Sequence, residues 1–447
     1  MQLEGLMRKP TSWGLLAILV LTIIIGFYLR NESGSETQVV SPFRADARDY
    51  YMYAYNLRHK QSYSRDTTSL TDVRHPVTPD AVRSPGYPLF LSIFVDGPPD
   101  NRTIAKIVFT QMLLSNLVLV LAFYFYKSFL TDYWAIAALL LTALSPHLIA
   151  ANSYLLTETL FCLLLVLSGW LLSLFFLRPS LSLAAVSGLV LGVATLIRPG
   201  LQYFPLILAV ILIVYYGRRK GFYFVAVLLI GYLVILSPWI IRNLKMLHSI
   251  SDDTLKINFL HHGMYPEFKF DGLDKSYGFP YQYDPRSGEI SKSTASVLNE
   301  IARRFRHEPA QHLKWYLFRK PAVFWSWNII QGIGDVFIYP IHRTPYQSNL
   351  FFRWTHRLMR YLHWPLVLLC AAGSLMVWLP RFKYKYPEKS LYVARFVSAL
   401  LLYFTLIHVV GAPFPRYSIP LRPFLYGMAI FCLHMFYTSL KTRKINI

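Results

Sequence analysis

Ten apolar windows recur along this chain and constrain it more than any motif does: 13–29, 104–126, 133–148, 155–177, 181–197, 204–216, 222–241, 361–379, 391–410 and 417–437. A helix rises ~1.5 Å per residue and the hydrocarbon core of a bilayer is ~30 Å thick, so windows of this length cross it as helices that satisfy their own backbone. Composition agrees, since 15% charged residues beside 54% hydrophobic ones is far from the ~25% charge of a soluble domain. The expected fold is an all-α polytopic membrane protein of about ten spans. It divides into a first module (1–243, seven spans, with a first outer loop at 30–103), an outer segment (244–360) and a last module of three spans (361–447).

Orientation follows from Lys and Arg in short connections, which stay cytoplasmic. An uncleaved first helix after Arg8 and Lys9 puts the N-terminus inside, and Gly217-Arg-Arg-Lys220, Arg381-Phe-Lys-Tyr-Lys385 and Lys441-Thr-Arg-Lys444 then lie on that side with the C-terminus. Lys and Arg total 45 against 23 Asp and Glu. The part of this excess not used in orientation is available for anionic headgroups or phosphates; nucleic acid is not an expected partner. The aromatic stretch 320–339 is read as an interfacial or re-entrant piece, because it carries Asn328, Gln331 and Asp335 and because Trp favours interfaces. Within 244–360 the first half reads as a loop and 295–318 as one amphipathic helix on the membrane.

The loop 41–94 is polar in a greasy chain, carrying Asp46, Asp49, Asp66, Asp72, Asp80, Arg65, Arg74 and Arg83 before a turn rich in Pro and Gly. Such charges need water or a polar ligand. In the ten-span topology this loop shares the outer face with Thr157-Glu158, Arg198-Pro199, Arg242-Asn243 and Arg416-Tyr417. An acid such as Glu158 at the start of an apolar helix is a functional candidate, with pairing to the helix dipole as the plainer reading. Arg198, Arg242 and Arg416 could each snorkel to headgroups. Together with Asp46, Glu158 and Arg83 they read as an acid cluster beside a phosphate cradle.

The order of these pieces resembles the GT-C superfamily, membrane glycosyltransferases that take a sugar from a polyprenyl-phosphate carrier. The pieces are an Asp in the first outer loop, Arg83-Ser-Pro-Gly-Tyr87-Pro-Leu-Phe-Leu before the second span, Thr157-Glu158-Thr-Leu-Phe at the fourth, Arg198-Pro after the fifth, Ser237-Pro-Trp-Ile-Ile-Arg242-Asn closing the seventh, and Arg416-Tyr417-Ser-Ile-Pro late in the chain. Bacterial members related to protein O-mannosyltransferases and to the lipid A aminoarabinose transferase are the nearest in pattern. The resemblance implies a site on the non-cytoplasmic face of a bacterial plasma membrane. It makes Asp46 and Glu158 catalytic, with Asp49 as the alternative because Ala47 stands where many members have a second acid. Arg83, Tyr87, Arg198, Arg242, Arg416 and Tyr417 fall at carrier-phosphate positions. Where such enzymes use a divalent cation (Mg, Mn or Zn), it lies near the acids matched by Asp46 and Glu158. The donor is a lipid-linked sugar, and the acceptor a glycan, lipid or protein.

This chemistry asks for these residue types on its own terms: arginine forks to meet the charge of a leaving phosphate, and a carboxylate to take the acceptor proton. A transporter or lipid flippase is the rival reading, and a non-catalytic lipid-binding scaffold a further one; a transporter would place its polar residues near mid-bilayer and show internal repeats. Cys162, Cys370 and Cys432 all lie in apolar runs and offer neither a disulfide framework nor a metal spacing. His261-His262 lacks helical ligand spacing.

Overall fold

The computed structural model describes residues 13–72, 74–380 and 386–445, with side chains to residue 440. Arg8, Lys9, Arg381, Lys383 and Lys385 lie outside the described residues, as do the side chains of Lys441, Arg443 and Lys444. The chain opens with α1 (Trp13–Glu36), β1 (Gln38–Val39), α2 (Ala45–Lys60), α3 (Gly86–Ser92) and α4 (Asn101–Tyr126). Then follow α5 (Asp132–Leu144), α6 (Pro146–Ala150), α7 (Glu158–Leu177), α8 (Leu181–Ile197) and α9 (Phe204–Leu247). The outer segment holds α10 (Thr254–Gly263), α11 (Ser287–Ile290), α12 (Thr294–His307), α13 (Pro309–Lys314), α14 (Lys320–Phe324), β2 (Ile341–Arg343) and α15 (Pro345–Ser348). Last come α16 (Leu350–Met376), α17 (Glu388–Val410) and α18 (Arg422–Ile445).

Among the described residues seven helical segments are long and apolar enough to cross a membrane, and eight if α5 and α6 form one span bent by 49°. The bend falls at Ser145-Pro146, where the proline ring forces its predecessor out of helical backbone (ψ 109°). α8 is shorter, at 17 residues. α9 is two helices: Gly217 has φ 76° and ψ 164°, a region open to glycine alone. The chain folds back there, since the Tyr232 hydroxyl donates to the carbonyl of Gln202 at 3.1 Å, which a straight helix would hold ~45 Å away. All ten apolar windows are therefore helical, in a multi-pass bundle of the fold class that the hydropathy pattern predicts.

Packing is close where side chains are small. A Cβ on Gly188 of α8 would sit 2.0 Å from the Leu228 carbonyl oxygen of α9, so only glycine allows this crossing. α18 packs on α16 and α5, and α4 on α7. Within this apolar core Arg30 is fully buried, yet its guanidinium donates to Ser115 Oγ (3.0 Å) and to the carbonyls of Gly26, Ala143 and Thr142 (3.0–3.1 Å). Those bonds tie α1 to α4 and α5 and offset the cost of burying charge.

The outer elements sit on one end of the bundle. β1 pairs antiparallel with β2, clasping the first outer loop to the chain ahead of α16. The outer segment differs from its sequence reading in two ways. Its first half is not merely a loop: α10 packs with later turns and α12 around Leu260, Met264, Tyr265, Ile290 and Val297. The amphipathic helix expected over 295–318 breaks at Glu308-Pro309 into α12 and α13, because proline lacks the amide that a continuing helix needs. In the stretch 320–339 the helix that began at Pro309 runs on through a π-helical turn (Trp315–Arg319) for only five more residues, α14, and then gives way to irregular chain, so no spanning helix forms there. Its aromatics join the core: Phe324, Trp325 and Trp327 are buried. Lys320 is buried with them, its ammonium donating to the carbonyls of Val409 (2.8 Å) and Gly411 (2.9 Å), and burial lowers its pKa to about 6.

Candidate active site

Six charged side chains from five places in the chain meet at one end of the bundle. Asp46 is the acid in the first turn of α2, and Asp49 lies one turn on, on the same face. The residue before them, Ala45, has φ 47°, a left-handed backbone that costs a non-glycine residue about 1–2 kcal/mol and marks a held position. Arg83 comes from the turn entering α3. Glu158 is the first residue of α7, Arg198 follows the last turn of α8, and Arg416 lies in the 3₁₀ turn Pro415–Leu421 that leads into α18. Each sits at an element's end, where apolar helix gives way to polar chain.

The six form an alternating chain of charge. Arg83 Nη2 donates to Asp49 Oδ2 at 3.1 Å and to Asp46 Oδ1 at 2.7 Å; Arg416 Nη2 takes the other oxygen, Asp46 Oδ2, at 2.7 Å. Arg416 Nε then reaches Glu158 Oε1 at 3.2 Å, and Arg198 Nη2 the same oxygen at 2.8 Å. Three carboxylates against three guanidinium groups leave the chain neutral. Aromatic faces flank the cations: Arg198 lies over Tyr417 (5.0 Å) and Phe161 (5.5 Å), Arg416 over Tyr417 (5.6 Å), and Arg83 over Tyr50 (5.6 Å). Burial alone would push the Asp46 carboxyl up, but Arg416 and Arg83 outweigh it and hold the pKa down to about 2. Burial likewise opposes the charge on Arg83, and Asp46, with Tyr50 and Asp49, more than restores it, so its pKa is raised.

Two sequence candidates stand apart. The Tyr87 hydroxyl donates to Gln111 Oε1 (2.8 Å), and its ring packs edge-on against Tyr50 at 5.1 Å, so its donor is committed outside the charged chain. Arg242 clamps the outer loop: it donates to the carbonyls of Asp80 and Tyr63 (both 2.9 Å) and stacks over Tyr63 and Trp239. One residue the sequence reading missed is Tyr339, which is buried, has an unpartnered hydroxyl, and lies near enough to feel the charges of Asp46, Arg416 and Glu158. No local pattern marks it, because it comes from irregular chain nearly 300 residues after Asp46.

The donors do not fit a divalent cation. Both Asp46 oxygens and Glu158 Oε1 already accept from arginine, and Arg416 occupies the space between the two acids. Among the buried oxygens of these acids Glu158 Oε2 lacks a partner, and Glu158 borders a cavity of about 10 Å³ lined also by Arg30, Asn152 and Thr159, room for one water at most. Among the described residues no group of three His, Cys, Asp or Glu side chains could hold a metal ion. His261 is taken by the Tyr265 hydroxyl (3.0 Å), and His262 packs against Tyr281 and Phe414.

No protein-family profile matches the chain, and no curated protein matches it in sequence. Solved structures do match, and they show the fold, which is that of the membrane part of archaeal oligosaccharyltransferases. The archaeal oligosaccharyltransferase AglB from Archaeoglobus fulgidus, in complex with an inhibitory peptide and a dolichol-phosphate, aligns over 98% of this chain at a TM-score of 0.52 and 12% identity. The A. fulgidus oligosaccharyltransferase tethered to an acceptor peptide containing the NVT sequon aligns over 97% (TM-score 0.51, 13% identity), and the same enzyme with Zn and sulfate over 95% (0.50, 15%). This chain spans about half the length of those proteins, 50–52%.

Proposed function

We propose that this protein is a membrane glycosyltransferase that moves a sugar from a polyprenyl-phosphate carrier to an acceptor hydroxyl or phosphate of a cell-envelope glycan, lipid or protein. The observation that carries the reading is Asp46 held between Arg83 and Arg416 at the end of a GT-C-type bundle. The comparison enzymes, one bound to a dolichol-phosphate and another to an acceptor peptide, support a lipid-linked donor and a separate acceptor. The location we propose is a bacterial plasma membrane, with both termini cytoplasmic and the site outside.

The arginines serve the leaving group. As the bond from the anomeric carbon to the phosphate oxygen breaks, the electron pair goes to the phosphate, and Arg416, Arg83 and Arg198 meet the charge in a water-poor pocket. The acceptor oxygen attacks the opposite face of the sugar with inversion and its proton passes to Asp46. A carboxylate with a pKa near 2 is a weak base, since catalysis favours a pKa near the working pH. The phosphate remedies this: by drawing Arg416 and Arg83 to itself it removes what holds Asp46 down, so the base strengthens only when donor is bound. Glu158 keeps Arg416 and Arg198 aligned. No step here uses a metal ion.

Charged groups gathered at helix ends favour this reading over a transporter, which would place them along a mid-bilayer path. The test is reconstitution of the purified chain in vesicles with polyprenyl-phosphate hexoses and pentoses and a cell-envelope extract. Free polyprenyl phosphate should appear with a glycosylated product. Movement of lipid across the bilayer without release of polyprenyl phosphate would favour the flippase instead.

A further inference from the structure

A second basic cavity opens on the same end of the bundle as Asp46, and the transfer chemistry leaves it unused. It lies beyond the chain that β2 clasps to the first outer loop, and it encloses about 750 Å³, within the size range of ligand sites. Arg353, Arg357 and Arg360 line it from the first turns of α16, spaced i, i+4, i+7 on one helix face. All three are exposed, and among the described residues no carboxylate oxygen comes within 4.0 Å of them. The acid in the wall, Asp335, is engaged by His356 at 2.8 Å and by the Trp327 indole. Tyr346, also in the wall, has a buried hydroxyl without a partner. Like charges one turn apart repel, so the cluster calls for an anion.

The same helix says what kind. Beside the arginines runs a stripe at seven-residue spacing, Trp354, Tyr361, Leu368 and Leu375, exposed at 56%, 82%, 66% and 73% along a segment apolar enough to cross the membrane. A cationic pocket at the head of a lipid-facing apolar track has the shape of a phospholipid: guanidinium forks for phosphate oxygens, an aromatic at the headgroup level, and a groove for acyl chain. We infer that Arg353, Arg357 and Arg360 form a headgroup site for a phosphate-bearing membrane lipid of net negative charge, separate from the Asp46–Arg416 centre. The site stands whether or not the protein transfers sugar.

The test is native mass spectrometry of the full chain purified in an uncharged detergent and titrated with phosphatidic acid, with phosphatidylcholine and inorganic phosphate as the other probes. Wild type should retain phosphatidic acid, and the combined R353Q/R357Q/R360Q variant should lose at least about tenfold in affinity, as expected when several charge-assisted bonds go. Arg343→Gln, which removes a charge outside the cavity, should bind like wild type. Since the three arginines are exposed, the variant's melting temperature should stay unchanged. Retention of phosphatidic acid by the triple variant within about twofold, or equal binding of phosphatidylcholine by wild type, would overturn the site. Displacement of the lipid by an equal concentration of inorganic phosphate would overturn its assignment to a lipid.

Discussion

Arg416, at the entry to the last helix, donates to Asp46, in the first outer loop, at 2.7 Å across 370 residues of sequence. The first and last modules thus close on each other through one guanidinium that also reaches Glu158. Lysine cannot replace it, because an ammonium is a point charge without the fork that spans two carboxylates. Arg416→Lys should lower transfer at least about tenfold, on the scale of one lost charge-assisted bond, and raise the apparent KM for donor. Wild-type kinetics in Arg416→Lys would show that charge alone suffices there.

Arg83 and Arg242 separate binding from scaffolding. Arg83→Ala should weaken carrier binding by roughly 1.5–3 kcal/mol, the worth of a charged hydrogen bond. Arg242→Ala removes the clamp on the carbonyls of Asp80 and Tyr63 and the stacking over Tyr63 and Trp239. It should lower the melting temperature and expose the loop around 63–80 to protease, while carrier affinity of the intact protein changes less than about threefold. Protease sensitivity unchanged by Arg242→Ala would remove its scaffolding role.

Acid should loosen the site. The Asp46 pKa falls from 3.8 to about 2 on folding, so its ionised form contributes stability above pH ~4 that is lost as pH falls through ~2. The size is about 2 kcal/mol. Unfolding midpoints in detergent should therefore be steady from neutrality to pH ~5 and drop below pH ~4, with a shallower drop in Asp46→Asn. Equal acid slopes in the two proteins would show that Asp46 is not held low.

Chelation tests the fit of the donor set. Arginines hold both oxygens of Asp46 and one of Glu158, so EDTA treatment should leave transfer within about twofold of its starting rate, since the cations that meet the phosphate are side chains. Loss of activity restored by Mg, Mn or Zn would mean that the arginines move aside for an ion.

Much of this was legible in the sequence for a simple reason: in a chain so apolar, a charge at a helix end is conspicuous. The ten windows, and the residues Asp46, Asp49, Arg83, Glu158, Arg198 and Arg416 that the fold gathers, could all be picked out that way. What escaped depends on partners far away in sequence. Arg30 falls in the first outer loop of the sequence reading (30–103), yet it lies within α1 and is buried because Thr142 and Ala143 offer carbonyls. The stretch 320–339 reads as interfacial or re-entrant, and its burial depends on α17 and its following turn, which supply acceptors for Lys320. Tyr87 and Arg242 carry the right chemistry on the right segment but point elsewhere, and no spacing rule says which way a side chain in a turn will face.

The most direct measurement compares cell-envelope glycans, lipids and glycoproteins by mass spectrometry in three otherwise identical strains: wild type, a deletion, and Asp46→Asn. The amide keeps the size of the side chain and removes the base, a loss expected to slow transfer about 10²- to 10⁴-fold. The account predicts one species lighter by a single sugar residue in both the deletion and the Asp46→Asn strain, with the variant protein present in the membrane at normal level and still able to bind donor. A full complement of the glycosylated species in the Asp46→Asn strain would contradict it and move the base to Asp49 or Glu158.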